Sequence, residues 1–369
     1  MKLRPFITAL AVTALVGGGA VVAGCGSDNN NDSGSTSGSS GGKGGKIALL
    51  LPESKTARYE SQDHPKFEAK VKELCSDCEI VYSNADQDAS KQQSQADAAL
   101  TQGVKVMVLD PVDAASAAAI VTRAKQKNVP VISYDRLIPD APIDYYISYD
   151  NEGVGKLQAD SLSKKLAADG NKNATITMIN GAPTDNNAKL FKQGATAGFK
   201  AAGIKIGKSY DTPDWSPDKA QQEMEQAITA IGKDNVVGVL SANDGMAGGA
   251  IAAMKRAGYK DLPPITGQDA ELGAVQRILT GEQYMTIYLD IRAEAEKSAE
   301  LAVSLVKGEQ PAATSKVNNG TADIPAVLLD PIAVTADKVK DTIVKDGFYK
   351  ADQICTAEVK DACAKAGIE

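Results

Sequence analysis

The chain has 369 residues, a formal net charge of −7 and a globular composition, with 43% hydrophobic and 24% charged residues. At roughly 100–200 residues per domain this length predicts two domains, and the composition excludes a wholly disordered, collagen-like or multi-span membrane chain. The negative charge provides no global field that would attract nucleic acid. His64 is the only histidine, which excludes a multi-histidine metal centre, and we expect neither a metal nor a cofactor.

Residues 1–24 are typical of a secretory signal peptide. Lys2 and Arg4 precede an apolar stretch that is too short and too rich in glycine for a membrane-spanning helix. The sequence Val-Ala-Gly-Cys that ends at Cys25 resembles a bacterial lipobox, which implies cleavage before this cysteine and a lipid on it. Residues 25–45 are rich in Gly and Ser and predict a flexible tether. We therefore expect an exported lipoprotein on the extracytoplasmic side of the cell membrane.

Four further cysteines follow the lipobox, at positions 75, 78, 355 and 363. An oxidising compartment favours two disulfides, and among the three pairings that four cysteines allow we favour the local ones, Cys75–Cys78 and Cys355–Cys363. A redox-active motif at the first pair is the alternative, but the acidic residues beside it would oppose the thiolate that redox chemistry needs. A zinc site is disfavoured because the second pair lacks the CxxC spacing.

From Lys46 onward, short apolar runs alternate with helical patterns. The predicted strands are Ile47–Leu51, Glu79–Ser83, Val104–Leu109, Val129–Tyr134, Asp144–Ser148, Ala174–Ile179, Lys205–Tyr210, Val236–Leu240, Ile265–Thr266 and Tyr284–Tyr288. The predicted helices lie near residues 60–74, 88–102, 113–127, 151–168, 186–202, 217–231, 245–257, 270–280 and 291–307. Strands that are apolar throughout are typical of parallel sheets covered on both faces. The strict alternation therefore predicts α/β architecture, with two similar doubly wound parallel-sheet domains.

Polar residues follow most of the predicted strands. Ligands of doubly wound sheets bind beyond the carboxyl ends of the strands, so these residues are candidate ligand contacts. Arg, Asp and Asn recur there in both halves of the chain, with an aromatic residue in each half, Tyr59 and Trp215. This mixture suits a small neutral polyol ring, because each hydroxyl both donates and accepts hydrogen bonds. Two of the residues, Asp88 and Asp110, have a simpler interpretation as helix caps.

Several of these stretches together carry a resemblance to a known family. They are Ser133–Ile138, Ile143–Glu152, Asp185–Phe191, Asn243–Ile251 and Gly267–Leu272. From about Lys46 to Tyr349 the chain resembles the periplasmic sugar-binding proteins of ABC importers of the ribose/galactose type, most closely the D-xylose-binding members.

The resemblance implies a type I periplasmic-binding-protein fold, in which the two domains form lobes joined by a three-crossing hinge. The implied crossings lie near residues 148–151, 286–289 and 318–321. The implied lobes are residues 46–149 with 288–318 for the N-terminal lobe and residues 150–287 with 319–350 for the C-terminal lobe. Residues 351–369, which contain the last two cysteines, form an extension beyond the family pattern.

The resemblance also implies which residues contact the sugar. They are Arg58, Tyr59, Asp135, Arg136, Asp185, Asn187, Trp215, Asn243 and Asp269. The two aromatic residues among them would stack on opposite faces of the ring. Asp135 and Arg136 would form a paired carboxylate and guanidinium. Glu53 and Asp63 are weaker candidates.

The predicted function is that of a lipid-anchored, monomeric receptor that closes its lobes on one monosaccharide and delivers it to an ABC permease in the membrane. The resemblance favours D-xylose, but Leu289 stands where the family has a lysine. A glucose/galactose-type multi-sugar protein for transport or chemosensing therefore stays an alternative. A sugar-active enzyme is less favoured, because Arg136 beside Asp135 should lower the pKa of this carboxyl and spoil a general acid. We predict a binding protein and not an enzyme.

Overall fold

The computed structural model describes residues 44–171 and 174–368. The predicted signal peptide, the predicted lipidation site Cys25 and the tether as far as residue 43 lie outside these ranges. No helix in the two described ranges is long and apolar enough to cross a membrane.

Strands and helices alternate along the described chain, as the sequence predicts. The strands are β1 (Lys46–Leu51), β2 (Glu79–Asn84), β3 (Val106–Leu109), β4 (Val131–Tyr134), β5 (Tyr145–Tyr149), β6 (Thr175–Asn180), β7 (Lys205–Asp211), β8 (Val239–Ser241), β9 (Met285–Tyr288), β10 (Ser315–Asn318), β11 (Asp323–Leu329) and β12 (Ile332–Thr335). The helices are α1 (His64–Leu74), α2 (Ala89–Thr101), α3 (Ala118–Gln126), α4 (Asn151–Ala168), α5 (Asn186–Ala202), α6 (Pro217–Ile231), α7 (Asp244–Arg256), α8 (Leu272–Thr280), α9 (Ile291–Val306), α10 (Ala351–Ile354) and α11 (Lys360–Lys365). A π-helical turn over Tyr59–Asp63 precedes α1.

The first lobe is built on a seven-stranded sheet in the order β10-β11-β5-β4-β3-β1-β2. Its strands run parallel except for the β10–β11 pair. β1 is apolar because its alternate side chains face two helical layers. Leu49 packs with residues of α1 and α9, whereas Leu50 packs with residues of α2 and α3. The loops after β1, β3 and β4 therefore meet at one edge of the sheet.

The second lobe is built on the parallel strands β7-β6-β8 and the antiparallel pair β9–β12. Two isolated parallel bridges, Val239 to Ile265 and Gln268 to Ile287, link these two parts. The predicted strand at residues 265–266 is therefore present only as a single bridge. Helices α4 to α7 pack on this layer. The two lobes confirm the predicted α/β architecture with parallel sheets.

The third passage of the chain between the lobes differs from the prediction. β11 pairs with β5 in parallel and so belongs to the first sheet. Residues 318–321, where the crossing was expected, form the turn between β10 and β11, with Gly320 at a φ of 93°. The chain leaves the first lobe only after Leu329, since β12 pairs with β9 of the second lobe. The predicted lobe boundary at residues 318/319 is therefore wrong, because turn chemistry does not tell which sheet the next strand joins.

Residues 351–368 are part of the second lobe. α10 and α11 pack against α8, and Ile354, Val359 and Cys363 are buried in the hydrophobic core of this lobe. The sulfur atoms of Cys355 and Cys363 lie 2.05 Å apart, as do those of Cys75 and Cys78. The structure thus brings together both cysteine pairs that the sequence analysis favoured.

Candidate functional site

A small cavity lies between the two lobes, at the carboxyl ends of their strands. Its lining consists of Thr56, Arg58, Tyr59, Asp135, Arg136, Asp185, Asn187, Phe191, Trp215, Asn243, Gln268 and Asp269. All the residues predicted to contact the sugar are in this set, and Thr56, Phe191 and Gln268 join them. The space left for a water-sized sphere is about 30 Å³, so the two lobes enclose little free volume. The cavity therefore suits a small ligand.

Asp135 and Asp269 occupy corresponding positions in the two lobes. The backbone N–H of Asp135 donates to Ile147 O over 2.9 Å, and that of Asp269 donates to Ile287 O over 2.9 Å. Both residues have positive φ, 55° and 90°. Asp tolerates this region better than most residues because its short side chain forms local hydrogen bonds. Each lobe thus places one carboxylate in the cavity from a strained turn.

Three carboxylates hold the guanidinium of Arg58. Its Nε and Nη2 donate to the two oxygens of Asp63 over 2.9 and 2.7 Å, and Nη2 also donates to Glu294 Oε2 over 2.8 Å. Its Nη1 lies 3.1 Å from Asp135 Oδ2. Asp63 does not line the cavity but orients Arg58, and the hydroxyl of Tyr134 donates to it. Glu294 comes from α9 and was missed, because no local pattern links it to a residue 236 positions earlier.

Arg136 bridges the two lobes. Its Nε lies 2.9 Å from Asp185 Oδ2, and its Nη2 donates to the hydroxyl of Tyr59 over 3.1 Å. The predicted ion pair between Asp135 and Arg136 is wrong, since Asp135 instead pairs with Arg58. Sequence neighbours with different backbone φ project their side chains in different directions. Asp135 and Arg136 therefore pair with different residues.

Asn187 and Asp185 form a second connection at the N-terminus of α5. Asn187 Nδ2 crosses between the lobes and donates to the backbone oxygen and the Oδ1 of Asp135, over 2.9 and 3.0 Å. Asp185 Oδ1 accepts from the backbone N–H of Asn187 over 2.8 Å, as a helix cap does. Asp185 is therefore a helix cap and a cavity residue at once.

The two predicted aromatic residues lie in the cavity lining at fixed orientations. The indole Nε1 of Trp215 donates to Asp185 Oδ2 over 3.1 Å. A Cβ atom at Gly181 would lie 2.1 Å from the Trp215 ring, so glycine is needed there to make room for the indole. The guanidinium of Arg58 lies 5.3 Å from the centre of the Tyr59 ring, within cation–π distance.

Two side-chain amides in the lining have an oxygen atom that accepts no hydrogen bond from the described residues. Asn187 Oδ1 and Gln268 Oε1 are buried, and no group in the described part of the chain donates to them. Asn243 Oδ1, by contrast, caps α7 by accepting from Met246 N–H over 2.9 Å. The weaker candidate Glu53 accepts from the backbone N–H of Thr56 over 3.0 Å and does not line the cavity. The lining therefore offers buried acceptors to a ligand with hydroxyl donors.

Burial raises the pKa of carboxyl groups around the cavity. It raises the pKa of Asp269 to about 7. It also raises the pKa of Asp135, although Arg58 and Arg136 act in the opposite direction. The expectation of a low Asp135 pKa is therefore wrong, because desolvation outweighs the neighbouring guanidinium groups. The Asp135 pKa gives no reason to exclude an enzyme, and that question depends on the relatives of this chain.

Known proteins resemble this chain in sequence and in fold. A family model described as a periplasmic binding protein domain matches residues 47–310. A D-xylose-binding periplasmic protein of Haemophilus influenzae is 38% identical over 313 residues, which cover 84% of this chain and 92% of that protein. The D-xylose-binding periplasmic protein of Escherichia coli is 37% identical, with the same coverage. The structure of an ABC transporter solute-binding protein from Clostridium phytofermentans with bound β-D-glucose has a TM-score of 0.77 at 28% identity, and covers 84% of this chain and 99% of its own.

The fold and the inter-lobe cavity are those of a two-lobed ligand-binding protein. The chain belongs to the periplasmic sugar-binding proteins of ABC-type transport. It is a binding protein and not an enzyme, as the sequence analysis predicted.

Proposed function

We propose that this protein is a lipid-anchored receptor that closes its two lobes on one monosaccharide, with D-xylose as the first candidate, and delivers it to an ABC permease. The observation that carries the proposal is the shared cavity. Both lobes supply carboxylate and aromatic groups to it, the first lobe adds guanidinium groups, and the second lobe adds amides. D-xylose comes first because two relatives named for this sugar are 38% and 37% identical to the chain.

The lining chemistry suits a ring of hydroxyl groups. Arg58 and Arg136 supply N–H donors, and Asp269 supplies carboxylate acceptors. Sugar hydroxyls would donate to Asn187 Oδ1 and Gln268 Oε1, which otherwise lack donors among the described residues. An unsatisfied buried acceptor costs about 1–3 kcal/mol, so a hydroxyl that satisfies one favours the bound state. A neutral polyol does this without adding net charge to the cavity.

Closure of the lobes couples sugar binding to the contacts between them. Arg136 with Asp185 and Asn187 with Asp135 join the lobes around the cavity. A sugar that bonds to both lobes favours the closed form by its differential affinity for that form. The closed receptor then docks on the permease, and delivery requires no covalent chemistry.

A glucose/galactose-type multi-sugar receptor is the second candidate. Leu289 is 1% exposed and packs in the hydrophobic core of the second lobe, so it offers no polar group to the cavity. Its neighbour Asp290 caps α9, accepting from Ala293 N–H over 3.1 Å. The Clostridium phytofermentans relative holds glucose. A cavity that lacks a polar group at this position has fewer contacts with which to distinguish one sugar from another.

The N-terminal segment and the cysteines complete the proposal. Cleavage before Cys25, a lipid on this residue and a tether with a reach of roughly 25 Å would hold a monomeric receptor outside the cytoplasm, close to the membrane. Cys75–Cys78 and Cys355–Cys363 would form disulfides in that oxidising setting. Intact-mass analysis of membrane-extracted protein tests both statements, through the lipid mass on the mature N-terminus and the mass gained on reduction.

Titration calorimetry of the purified protein against D-xylose, D-glucose, D-galactose, D-ribose and L-arabinose tests the sugar assignment. Tight one-to-one binding of D-xylose alone is the expected result. Comparable binding of several sugars would favour the second candidate, and Leu289→Lys should then narrow the preference. An absence of binding to all five sugars would contradict both candidates.

A further inference from the structure

Asp110 is a buried carboxylate outside the proposed sugar contacts. It follows β3, is fully buried and does not line the cavity. Neither side-chain oxygen accepts a hydrogen bond from any described residue, so the predicted helix-cap role is wrong. Its backbone is fixed on both sides: the N–H donates to Leu50 O over 3.0 Å, and the carbonyl accepts from Gln92 Nε2 over 2.8 Å. The main chain of Asp110 is therefore held in place at the sheet edge.

The cation beside Asp110 is Arg136, which it shares with Asp185. Arg136 Nε lies 2.9 Å from Asp185 Oδ2 but 3.4 Å from Asp110 Oδ1. Both are ion-pair distances, and the Asp185 carboxylate is the closer of the two partners. In this closed arrangement Arg136 Nε therefore lies closer to Asp185 of the second lobe than to Asp110 of the first.

Lobe separation would move Asp185 away from Arg136. Asp110 and Arg136 both follow strands of the first sheet, whereas Asp185 caps α5 of the second lobe. We propose that Asp110 is a positioning residue that holds Arg136 Nε when the lobes are apart and is displaced by Asp185 on closure, so that its charge opposes closure and limits sugar affinity. This inference rests on the proposed function, because it requires lobes that separate and close.

The groups that face Asp110 explain why its charge opposes closure. They are Arg136 and Asp135 after β4, Arg58 and Tyr59 after β1, and Asp185 from the second lobe. Closure brings the Asp185 carboxylate towards Asp110 and removes water from both. An ionised carboxylate without a hydrogen-bond donor is unfavourable in such a buried place. The charge of Asp110 is therefore better accommodated in the open form than in the closed one.

A pH dependence follows from the same exchange. Burial raises the pKa of Asp110 well above its ordinary value in the closed form. In the open form, Arg136 pairs with it and water reaches it, and both keep the pKa lower. Closure therefore takes up a proton at Asp110, and this residue makes sugar affinity rise as the pH falls. Asp135 and Asp269 act in the same direction, so the contribution of Asp110 is the difference between variants.

The test compares the wild-type mature chain with Asp110→Asn and with a matched surface control, Asp97→Asn. Asp97 Oδ1 also lies close to an arginine Nε, that of Arg123 at 2.6 Å, but its side chain is 55% exposed. Small-angle X-ray scattering without sugar measures the radius of gyration. Calorimetry with D-xylose and D-glucose measures Kd at about pH 6 and about pH 8, and thermal unfolding checks the fold of each variant.

The expected result for Asp110→Asn is a smaller ligand-free radius of gyration, a Kd roughly fivefold lower at the higher pH, and a smaller difference between the two pH values. Asp97→Asn should match the wild type in all three measurements. Equal or weaker binding by a folded Asp110→Asn variant, with an unchanged radius of gyration, would overturn the inference. Asp110→Ala should change the radius of gyration, the Kd and the pH difference in the same direction. This variant tests the inference if Asp110→Asn does not fold. If the wild type binds none of the five sugars named above, the proposed function fails, whereas the ligand-free scattering comparison still decides the role of Asp110.

Discussion

Replacing Arg136 with methionine should weaken sugar binding by at least two orders of magnitude. Methionine keeps most of the length of the side chain but removes its charge and all its donors. Arg136 is 3% exposed, lines the cavity and contacts Asp185 of the other lobe. The substitution therefore removes a contact to the sugar and a contact between the lobes together.

The magnitude follows from the contacts that exist only in the closed form. The contact from Arg136 Nε to Asp185 Oδ2, at 2.9 Å, is broken when the lobes separate, whereas the hydrogen bond to the Tyr59 hydroxyl stays within the first lobe. A hydrogen bond to a charged group contributes about 1.5–3 kcal/mol. Loss of one direct hydrogen bond to the sugar, together with the buried Asp185 carboxylate left unpaired in the closed form, removes about 3–6 kcal/mol, which is roughly a 10²–10⁴-fold increase in Kd.

Titration calorimetry with D-xylose measures this change. Arg123→Met is the matched control, since Arg123 also pairs with an aspartate through Nε, at 2.6 Å from Asp97, but outside the cavity. The control should bind as the wild type does. A folded Arg136→Met variant whose Kd stays within about threefold of the wild-type value would refute the reasoning.

Three further predictions concern stability, fluorescence and the C-terminal cysteines. Burial raises the pKa of Asp244 to about 7 and that of Glu271 to about 8 in the folded protein. These values exceed the unfolded ones, so the free energy of unfolding should fall as the pH rises from about 4 to about 8; a calorimetric Tm that is higher near pH 8 than near pH 5 would contradict this. Trp215 is the only tryptophan and lines the cavity, so D-xylose should change the intrinsic tryptophan emission; an unchanged emission at saturating sugar would place the ligand elsewhere. Cys355→Ser should lower the free energy of unfolding by about 2–3 kcal/mol and leave the D-xylose Kd unchanged; equal stability in urea would contradict a stabilising role of this disulfide.

The helices α1 to α9 and most strands could be predicted because their signals are local, whereas the short helices α10 and α11 were not predicted. The strand β1 is apolar from Ile47 to Leu51, as in a sheet covered on both faces. Asp88 caps α2 by accepting from Ser90 and Lys91 N–H, as its position predicts. The strands β10 to β12 were missed because they are short or amphipathic and follow a polar stretch. A turn at Gly320 was recognisable, but the sheet that β11 joins was not.

The residues of the cavity were also accessible from the sequence. The carboxyl ends of parallel strands lie at one edge of the sheet. Polar residues that follow different strands are therefore expected, from the sequence alone, to lie close together at that edge. From these polar residues, the resemblance to sugar-binding proteins selected a set of predicted sugar contacts that line the cavity.

The choice of partner for each charged side chain depends instead on contacts between segments far apart in the chain. Arg58 is held by Glu294 from α9, and Arg136 meets Asp185 of the other lobe rather than its neighbour Asp135. The raised pKa of Asp135 likewise depends on how completely the two lobes exclude water. Composition and periodicity describe one segment at a time, whereas ion pairing and desolvation depend on how segments pack, and so they become visible only in the folded, closed molecule.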